Sequence, residues 1–375
     1  MPRILIITGE TSGDLHGANL ASALRQLCPD IQLLGVGGPQ MQAAGVKILQ
    51  GFVRVDAIGL LGLTQIRQGL CNFLTLRRFL KQEPLDAVVF IDNPGLNLRL
   101  ASVATKAGHR VIYYIAPQVW AWGKGRLQRI ARIVHHMLVI LPFEESLFRE
   151  AGIPCTFVGH PLLDTPTPSY DQRTLREILG LPLGGPVLGL FPGSREHEVR
   201  LLLPTMVQAY QLMRATIPQL HGVIGLAPSL SKSLINELIS DQIPLTVIPQ
   251  RSNEVMAASD LLFIASGTAT LQAALIGTPM VIVYRTAWLT YQIAIRLLQV
   301  PHIGLVNILA GQEIMPELLQ HEVTAQRIRD EGLRILYDTQ GSEATQLAFD
   351  TIRRQLGTAG ASTRAAKIIL TTCKP

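Results

Sequence analysis

Between Asp260 and Arg285 the chain spells out a strand, a turn, a helix and a second strand in one short stretch. The apolar run Leu261 to Ala265 stops at Ser266-Gly267-Thr268. Helical spacing follows through Leu271, Ala274 and Leu275 until Gly277-Thr278-Pro279 ends it, and a second apolar run, Met280 to Tyr284, begins. That order is a βαβ crossover, so the chain commits here to a parallel sheet with a helix laid over it. The turn sets backbone N–H groups and two small hydroxyls at a helix N-terminus, where a phosphate is favoured. The same Ser and Thr are equally ordinary helix caps.

The alternation extends over most of the sequence. Ile4–Ile7, Ala87–Ile91, Val111–Ile115 and Leu138–Leu141 are strand candidates in the first half, and Val187–Phe191, Gly222–Leu226, Leu245–Ile248, Leu261–Ala265 and Met280–Tyr284 in the second. Between them Gly159 to Arg173, rich in proline and polar residues, is the best linker. The expected fold class is therefore α/β, with two Rossmann-like domains facing a cleft: residues 1–165, residues 166–345, and a helical tail over 346–375 that packs back on the first domain or on a partner subunit. A chain of 375 residues suits two such domains.

Composition narrows the partners. The formal charge is +6, yet only 16% of residues are charged, 48% are hydrophobic and 5% aromatic. A nucleic-acid binder would interleave clustered Lys and Arg with aromatics, so no nucleic acid is expected, and an anionic lipid surface or phosphorylated substrate fits better. Cys28, Cys71, Cys155 and Cys373 form no paired motif and suit a reducing cytosol. Ile4–Ile7 is too short for a signal-peptide core and no apolar run reaches the length of a membrane span, so the expected protein is soluble or peripheral. From Gly62 to Lys81, Leu63, Ile66, Leu70, Phe73 and Leu74 make a helical stripe, while Leu76 and Phe79 fall outside it beside Arg67, Arg77, Arg78 and Lys81. Apolar residues wrap so far round that two readings stay open: a helix buried on a broad face, or a basic apolar surface resting on a membrane.

Four motifs carry chemistry. Gly9 to Asp14 is a Gly-rich turn that opens a helix without G-x-G-x-x-G spacing, and Gly35-Val36-Gly37-Gly38 misses that spacing too, which weighs against hydride transfer. In Leu188 to Arg195 a strand ends in Gly193-Ser194 and presents Arg195 at the carboxyl edge of a sheet, where a guanidinium suits a pyrophosphate; Glu198 either pairs with it or meets the substrate. Asp92 ends the Ala87–Ile91 strand as a helix cap or a general base. Trp120 and Trp122, beside Lys124, Arg126 and Arg129, either wall an acceptor pocket or pack in a core. His197-Glu198 and His321-Glu322 lack the second histidine of a zincin and no Asp-x-Asp occurs, so no metal and no cofactor is expected.

Assembled, these segments resemble the lipid-A-disaccharide synthase family, glycosyltransferases of the two-domain B-type fold. The likeness runs through GETSGD (Gly9 to Asp14), GVGGPQMQAAG (Gly35 to Gly45), FIDNPGLN (Phe90 to Asn97), APQVWAW (Ala116 to Trp122), LPFE (Leu141 to Glu144), FVGHP (Phe157 to Pro161), PGSREHEV (Pro192 to Val199), SGTATLQ (Ser266 to Gln272) and NILAG (Asn307 to Gly311). The resemblance implies transfer of a diacylglucosamine from its UDP derivative to diacylglucosamine 1-phosphate, at the cytoplasmic face of the inner membrane, and leaves a homodimer open. It makes Asp92 the candidate base and Asn307 a further catalytic residue. Spacing and resemblance together put the UDP-sugar on Gly193, Ser194, Arg195, Glu198, Ser266, Gly267, Thr268 and Gln272, and the acceptor side on Glu10, Ser12, Gly13, Asp14, Trp120 and Trp122. Leu70, Phe73, Leu74, Arg77 and Arg78 are the membrane-facing set. The chain departs from the family pattern at Gly95-Leu96, Gln272 and Gln312. The competing readings are another enzyme of the same fold acting on UDP-N-acetylglucosamine, an epimerase or a peptidoglycan-type transferase, and a nucleotide-regulated membrane-surface protein without catalysis.

Overall fold

The structure is a computed structural model that describes residues 1–375 except 10, 50–62, 121–123, 166–167, 169, 241, 288–290, 292–299 and 374–375, and except the side chains of 11–12, 63–70, 124 and 339–340. The chain divides into two compact units, residues 1–165 with 356–375, and residues 166–355.

In the first unit the strands are β1 (Arg3–Thr8), β2 (Gln32–Val36), β3 (Lys47–Ile48), β4 (Ala87–Ile91), β5 (Arg110–Tyr114), β6 (His136–Val139) and β7 (Cys155–Phe157). Its helices are α1 (Thr11–Leu27), α2 (Pro39–Ala43), α3 (Leu63–Gln82), α4 (Pro94–Lys106), α5 (Leu127–Ala131) and α6 (Pro142–Glu150). The strands form one parallel sheet in the order β3-β2-β1-β4-β5-β6-β7. Helices α3, α4, α5 and α6 cover one face through Leu76, Leu80, Leu100, Ile130 and Phe148, and α1 and α2 cover the other through Leu20, Leu24 and Met41. Burial from both sides is why these strands read as unbroken apolar runs rather than alternating ones.

The second unit contains α7 (Gln172–Leu179), β8 (Val187–Phe191), α8 (Glu196–Thr216), β9 (His221–Leu226), α9 (Lys232–Leu238), β10 (Leu245–Pro249) and α10 (Ser252–Ala258). It continues with β11 (Leu261–Ala265), α11 (Thr268–Ile276), β12 (Met280–Tyr284), α12 (Leu305–Ala310), β13 (Glu317–Leu319), α13 (Ala325–Tyr337) and α14 (Thr339–Gln355). Its sheet is also parallel, in the order β10-β9-β8-β11-β12-β13. The chain then returns to the first unit as α15 (Ala361–Cys373), which packs on α1. Asp164 receives that helix, accepting from the N–H groups of Gly360, Ala361 and Ser362 at 2.6, 3.2 and 3.2 Å. A carboxylate there also meets the positive end of the helix dipole.

In both sheets the strand order reverses next to the first strand of the unit, between β1 and β4 and between β8 and β11, and ligands of open α/β sheets bind beyond the carboxyl ends of strands at that reversal. The backbone is unusual at the same edges. Among the described residues, the non-glycines with positive φ are Asp92, Asn93, Ile115, Gln250 and Gln320, and each lies just past a strand's carboxyl end. Such conformations cost about 1–3 kcal/mol each and persist where surrounding contacts over-determine them.

Candidate active site

At the reversal point of the first unit, Asp92 (φ 49°) and Asn93 (φ 44°) are consecutive left-handed residues beyond β4. Asp and Asn tolerate that region better than other residues with a Cβ. The Asp92 carbonyl is held from two sides: Asn97 Nδ2 donates to it at 2.8 Å and the Tyr113 hydroxyl at 2.6 Å, while the Asp92 N–H donates to Tyr114 O at 3.2 Å. β5 and α4 thus fix the peptide units on both sides of Asp92, and its half-buried side chain hangs between them. Asn93 occupies the N-cap position of α4, and its side chain makes no capping hydrogen bond there. Asn93 also explains Gly9 at the end of β1, because a Cβ there would lie 1.8 Å from Asn93 Nδ2.

The loops after β5 and β6 bring two more groups to this edge. Trp120 is buried, donates from Nε1 to Glu144 Oε1 at 3.0 Å, and meets Phe143 edge to face with ring centroids 5.2 Å apart. It is a core indole and not an exposed wall. Glu144 is buried at the third position of α6, where Oε2 also accepts from the Leu141 N–H at 3.2 Å. Burial pushes its carboxyl up to about 7; the Trp120 and backbone donors hold it lower, and the charge of Asp92 pushes it higher. In the sequence Glu144 falls within LPFE with nothing beside it to mark a role.

Asp14 belongs to a different job. Its buried carboxylate accepts from the N–H groups of Gly38, Met41 and Gln40 at 2.7, 3.1 and 3.2 Å, which ties α1 to the start of α2. With three backbone donors on it, the side chain is an anchor rather than an acceptor-side group. Gly13 is a packing residue, since a Cβ on it would come within 3.0 Å of Thr8 Cβ. Glu10, Trp122 and the Ser12 side chain lie outside the described residues.

In the second unit the loop after β8 is Pro192-Gly193-Ser194-Arg195. Gly193 has φ 121°, and a Cβ there would meet Glu198 Oε2 at 2.5 Å, so glycine is required twice over. Glu198 closes this loop: Oε2 accepts from the N–H groups of Ser194 and Arg195 at 3.2 and 3.4 Å, and Oε1 accepts from Arg195 Nη1 at 3.1 Å. Of the two roles open to Glu198 the structure shows the pairing one. Half-buried Tyr284, at the end of β12, senses both charges: burial raises its phenol, Glu198 raises it further and Arg195 opposes.

The next strand across, β11, ends in a more open helix start. Ser266 donates to Ile303 O at 3.0 Å, Thr270 Oγ1 donates to Gly267 O at 2.8 Å, and Thr268 is exposed. Gly267 has φ 155° with nothing within 4 Å of where a Cβ would sit. The N-terminus of α11 therefore keeps room for an anion beside the strand that carries Arg195. Gln272, one turn into α11, donates from Nε2 to Asn253 Oδ1.

Asn307 corrects the role that the resemblance gave it. Its Nδ2 donates to Met315 O at 2.7 Å and Glu317 Oε1 at 2.8 Å, while Oδ1 accepts from the N–H groups of Ile314 and Met315 at 2.9 and 3.0 Å. All four hydrogen bonds of a buried amide are used, so no atom is left for a substrate. Glu317 continues the network to the Ile303 and Gly304 N–H groups at 2.9 and 3.0 Å, and Ile303 O is the acceptor of Ser266. Asn307 holds the loop that holds the Ser266 turn.

The helix α3 turns differently from the predicted stripe. Leu76 and Leu80 are buried, and Phe73 and Phe79 pack half-buried against the same core. Leu74 is 50% exposed, and Arg77, Arg78 and Lys81 are exposed on the same side of the helix. Phe73 therefore faces inward and leaves the membrane-facing set; the Leu70 side chain lies outside the described residues. Among the described residues no group of His, Cys, Asp and Glu is arranged to hold a metal ion, and no helix is long and apolar enough to cross a membrane.

Solved structures share this architecture at low identity. The UDP-N-acetylglucosamine 2-epimerase of Neisseria meningitidis, solved with UDP-N-acetylglucosamine, is 12% identical with a TM-score of 0.64, covering 99% of each chain. MurG of Acinetobacter baumannii is 15% identical with a TM-score of 0.59, covering 99% of this chain and all of that one. These show the fold. Sequence relatives are much nearer: the lipid-A-disaccharide synthase of Trichlorobacter lovleyi is 41% identical over 370 residues, 98% of this chain and 97% of the relative. That of Coxiella burnetii is 39% identical over 370 residues, with 98% and 97% covered. The family model described as lipid-A-disaccharide synthetase matches residues 4–370. With the paired parallel sheets and the edge residues in place, the chain belongs to the lipid-A-disaccharide synthase family and is a glycosyltransferase of lipid A biosynthesis with the two-Rossmann B-type fold.

Proposed function

We propose that the enzyme condenses UDP-2,3-diacylglucosamine with 2,3-diacylglucosamine 1-phosphate in a single inverting displacement. The acceptor's 6-hydroxyl gives its proton to the Asp92 carboxylate, its oxygen forms the bond to C1 of the donor sugar, and the C1–O bond to UDP breaks with its electron pair leaving on the β-phosphate. The products are the β-1,6-linked disaccharide 1-phosphate and UDP. The observation that carries this reading is Asp92, a carboxylate on a doubly tethered left-handed peptide at the sheet's reversal point. UDP release that requires both acylated sugars, with disaccharide phosphate identified by mass spectrometry, is the expected result. Conversion of UDP-N-acetylglucosamine alone would replace the reading with an epimerase.

The diphosphate is assigned to the N-terminus of α11 and to Arg195, with no metal ion required. Arg195→Ala, assayed with EDTA throughout, should raise the donor KM or lower kcat by roughly 10- to 150-fold, the worth of about 1.5–3 kcal/mol for a charge-assisted contact. Wild-type donor kinetics in that variant would remove Arg195 from the diphosphate, and a wild-type enzyme stopped by EDTA and restored by Mg²⁺ would overturn the metal-free assignment.

Both substrates are lipids, and the first unit offers a surface to suit them. From Asn93 to Phe143 the chain has no Asp or Glu, while Arg99, Lys106, Arg110, Lys124, Arg126, Arg129 and Arg132 fall within it. Helices α3, α4 and α5 cover one face of the sheet, and α3 adds exposed Leu74, Arg77, Arg78 and Lys81. We assign this face to the cytoplasmic leaflet of the inner membrane. Replacing Arg77, Arg78 and Lys81 with Gln should weaken binding to vesicles containing anionic lipid by about 1 kcal/mol per charge, with the melting temperature unchanged. Unaltered vesicle binding would return the face to ordinary solvent exposure.

A further inference from the structure

The first unit buries a carboxyl group at the same carboxyl edge of the sheet as Asp92, two strands along, that the displacement itself does not use. Glu144 is 1% exposed and fixed at both oxygens, by the Trp120 indole at 3.0 Å and the Leu141 N–H at 3.2 Å. A capping box asks only that Glu144 reach back to the Leu141 N–H; the indole contact and the burial are additional to it. Here the cap has been carried into the core, where the charge of Asp92 bears on it. We propose that Glu144 is a positioning residue of the reaction: through the Trp120 indole it fixes the loop that leaves β5, the strand whose Tyr113 hydroxyl and Tyr114 carbonyl hold the Asp92 backbone.

The electrostatics support the geometry. Burial brings Glu144 up to about 7, Trp120 and the Leu141 and Ile140 N–H groups favour its ionised form, and Asp92 disfavours it. Repulsion between two carboxylates is mutual, so an ionised Glu144 favours proton uptake by Asp92 and a neutral one does not. Among the described residues the Cys155 thiol on β7, which also feels the Glu144 charge, is pushed up to about 12 and stays neutral in the working range. Glu145 and Arg149 on the same helix pair with each other at 2.7 Å. The expected consequence is a limb in the pH profile centred near neutrality, rising as Glu144 ionises.

This inference rests on the reading of Asp92 as base, and the test separates the two. Steady-state kinetics from pH 5.5 to 9 with synthetic acylated substrates should show that Glu144→Gln loses the limb near pH 7 and drops kcat about 5- to 50-fold at pH 8, with donor KM within twofold. Trp120→Phe keeps an aromatic ring in place but removes the donor that favours ionised Glu144, so its limb should move to higher pH. A folded Glu144→Gln with the wild-type profile and kcat would reduce Glu144 to a cap. If Glu144→Gln does not fold, an unmoved limb in Trp120→Phe overturns the proposal by itself. A fully active Asp92→Asn measured alongside would instead overturn the underlying reading.

Discussion

Asp92→Asn is expected to lower kcat by about 10²–10⁴-fold, the usual worth of general-base assistance, while UDP affinity and the fold stay near wild type. The variant is well matched to the site. Asparagine is nearly isosteric with aspartate and tolerates the left-handed region as well, so the backbone at φ 49° keeps its conformation. Alanine would confound the result, since it would add strain to a peptide whose carbonyl is held by Asn97 and Tyr113. The amide oxygen of Asn is far less basic than a carboxylate, so the loss falls on proton transfer. Inversion of an α-linked donor in one displacement requires the attacking hydroxyl to shed a proton as its bond forms, and that step alone should suffer. The measurement is kcat together with UDP binding by calorimetry on the folded protein. Near-normal turnover would remove Asp92 from the chemistry, and the buried, triply bonded Asp14 is not available to replace it.

The sequence carried the sheet cores clearly and the roles of single polar residues poorly. Ala87–Ile91, Val187–Phe191, Leu261–Ala265 and Met280–Tyr284 were readable as strands because a strand buried on both faces must be apolar throughout, and that run survives any tertiary context. The strand Gln32–Val36 escaped because Gln32 and Gly35 break its run, and Lys47–Ile48, Cys155–Phe157 and Glu317–Leu319 are too short to show a period. On α3 the apolar residues wrap the helix, so composition alone did not fix its phase; the sheet beneath chose Leu76 and Leu80.

Site residues fall into the same division. Asp92 and Arg195 stand immediately after strands, where chain order alone puts a side chain at the carboxyl edge. Asp14 and Asn307 lie in equally suggestive motifs, yet their partners are fixed by packing. Asp14 is bound by Gly38, Gln40 and Met41, well along the chain from it, and Asn307 by a loop that doubles back to Met315 and Glu317. A polar residue that ends up clamped by backbone and one that is offered to a ligand have the same sequence signature. Glu144 shows the converse, a helix-start glutamate in sequence that proves to be buried against an indole contributed by a different loop.

A second large effect concerns stability in acid, where the first unit is expected to weaken as pH falls from about 6.5 toward 4. His160 is buried at the start of the 3-10 turn Pro161–Asp164, and its Nδ1 accepts from the Leu162 N–H at 3.1 Å, which requires that nitrogen to be unprotonated. Burial and then the nearby His16 lower it to about 3, with Asp164 opposing. On α1, His16 is lowered by burial to about 4, again with Asp164 opposing, and its buried Nδ1 has no hydrogen-bond partner among the described residues. For a base whose folded value lies below the unfolded one, the unfolded chain binds the proton first as pH falls. Stability is therefore full above about 6.5 and is lost down to the folded value. His16 alone, moving from 6.5 to about 4, amounts to about 3 kcal/mol, and the pair to several kcal/mol of a total that is typically 5–15. Glu144 runs the other way: its folded value is raised, so its contribution is full below about 4.5 and fades as pH climbs to about 7, offsetting roughly one histidine. Comparison with His160→Asn cancels that opposing effect, because the asparagine oxygen keeps the bond to Leu162 and cannot take up a proton. Urea titrations between pH 7.5 and 4.5, followed by hydrogen exchange of the α1 and α15 amides, should show wild type losing stability on the acid side by at least 2 kcal/mol more than the variant. Parallel curves for the two proteins would mean that His160 is not held neutral by the fold, and the acid sensitivity of this unit would then have to lie elsewhere.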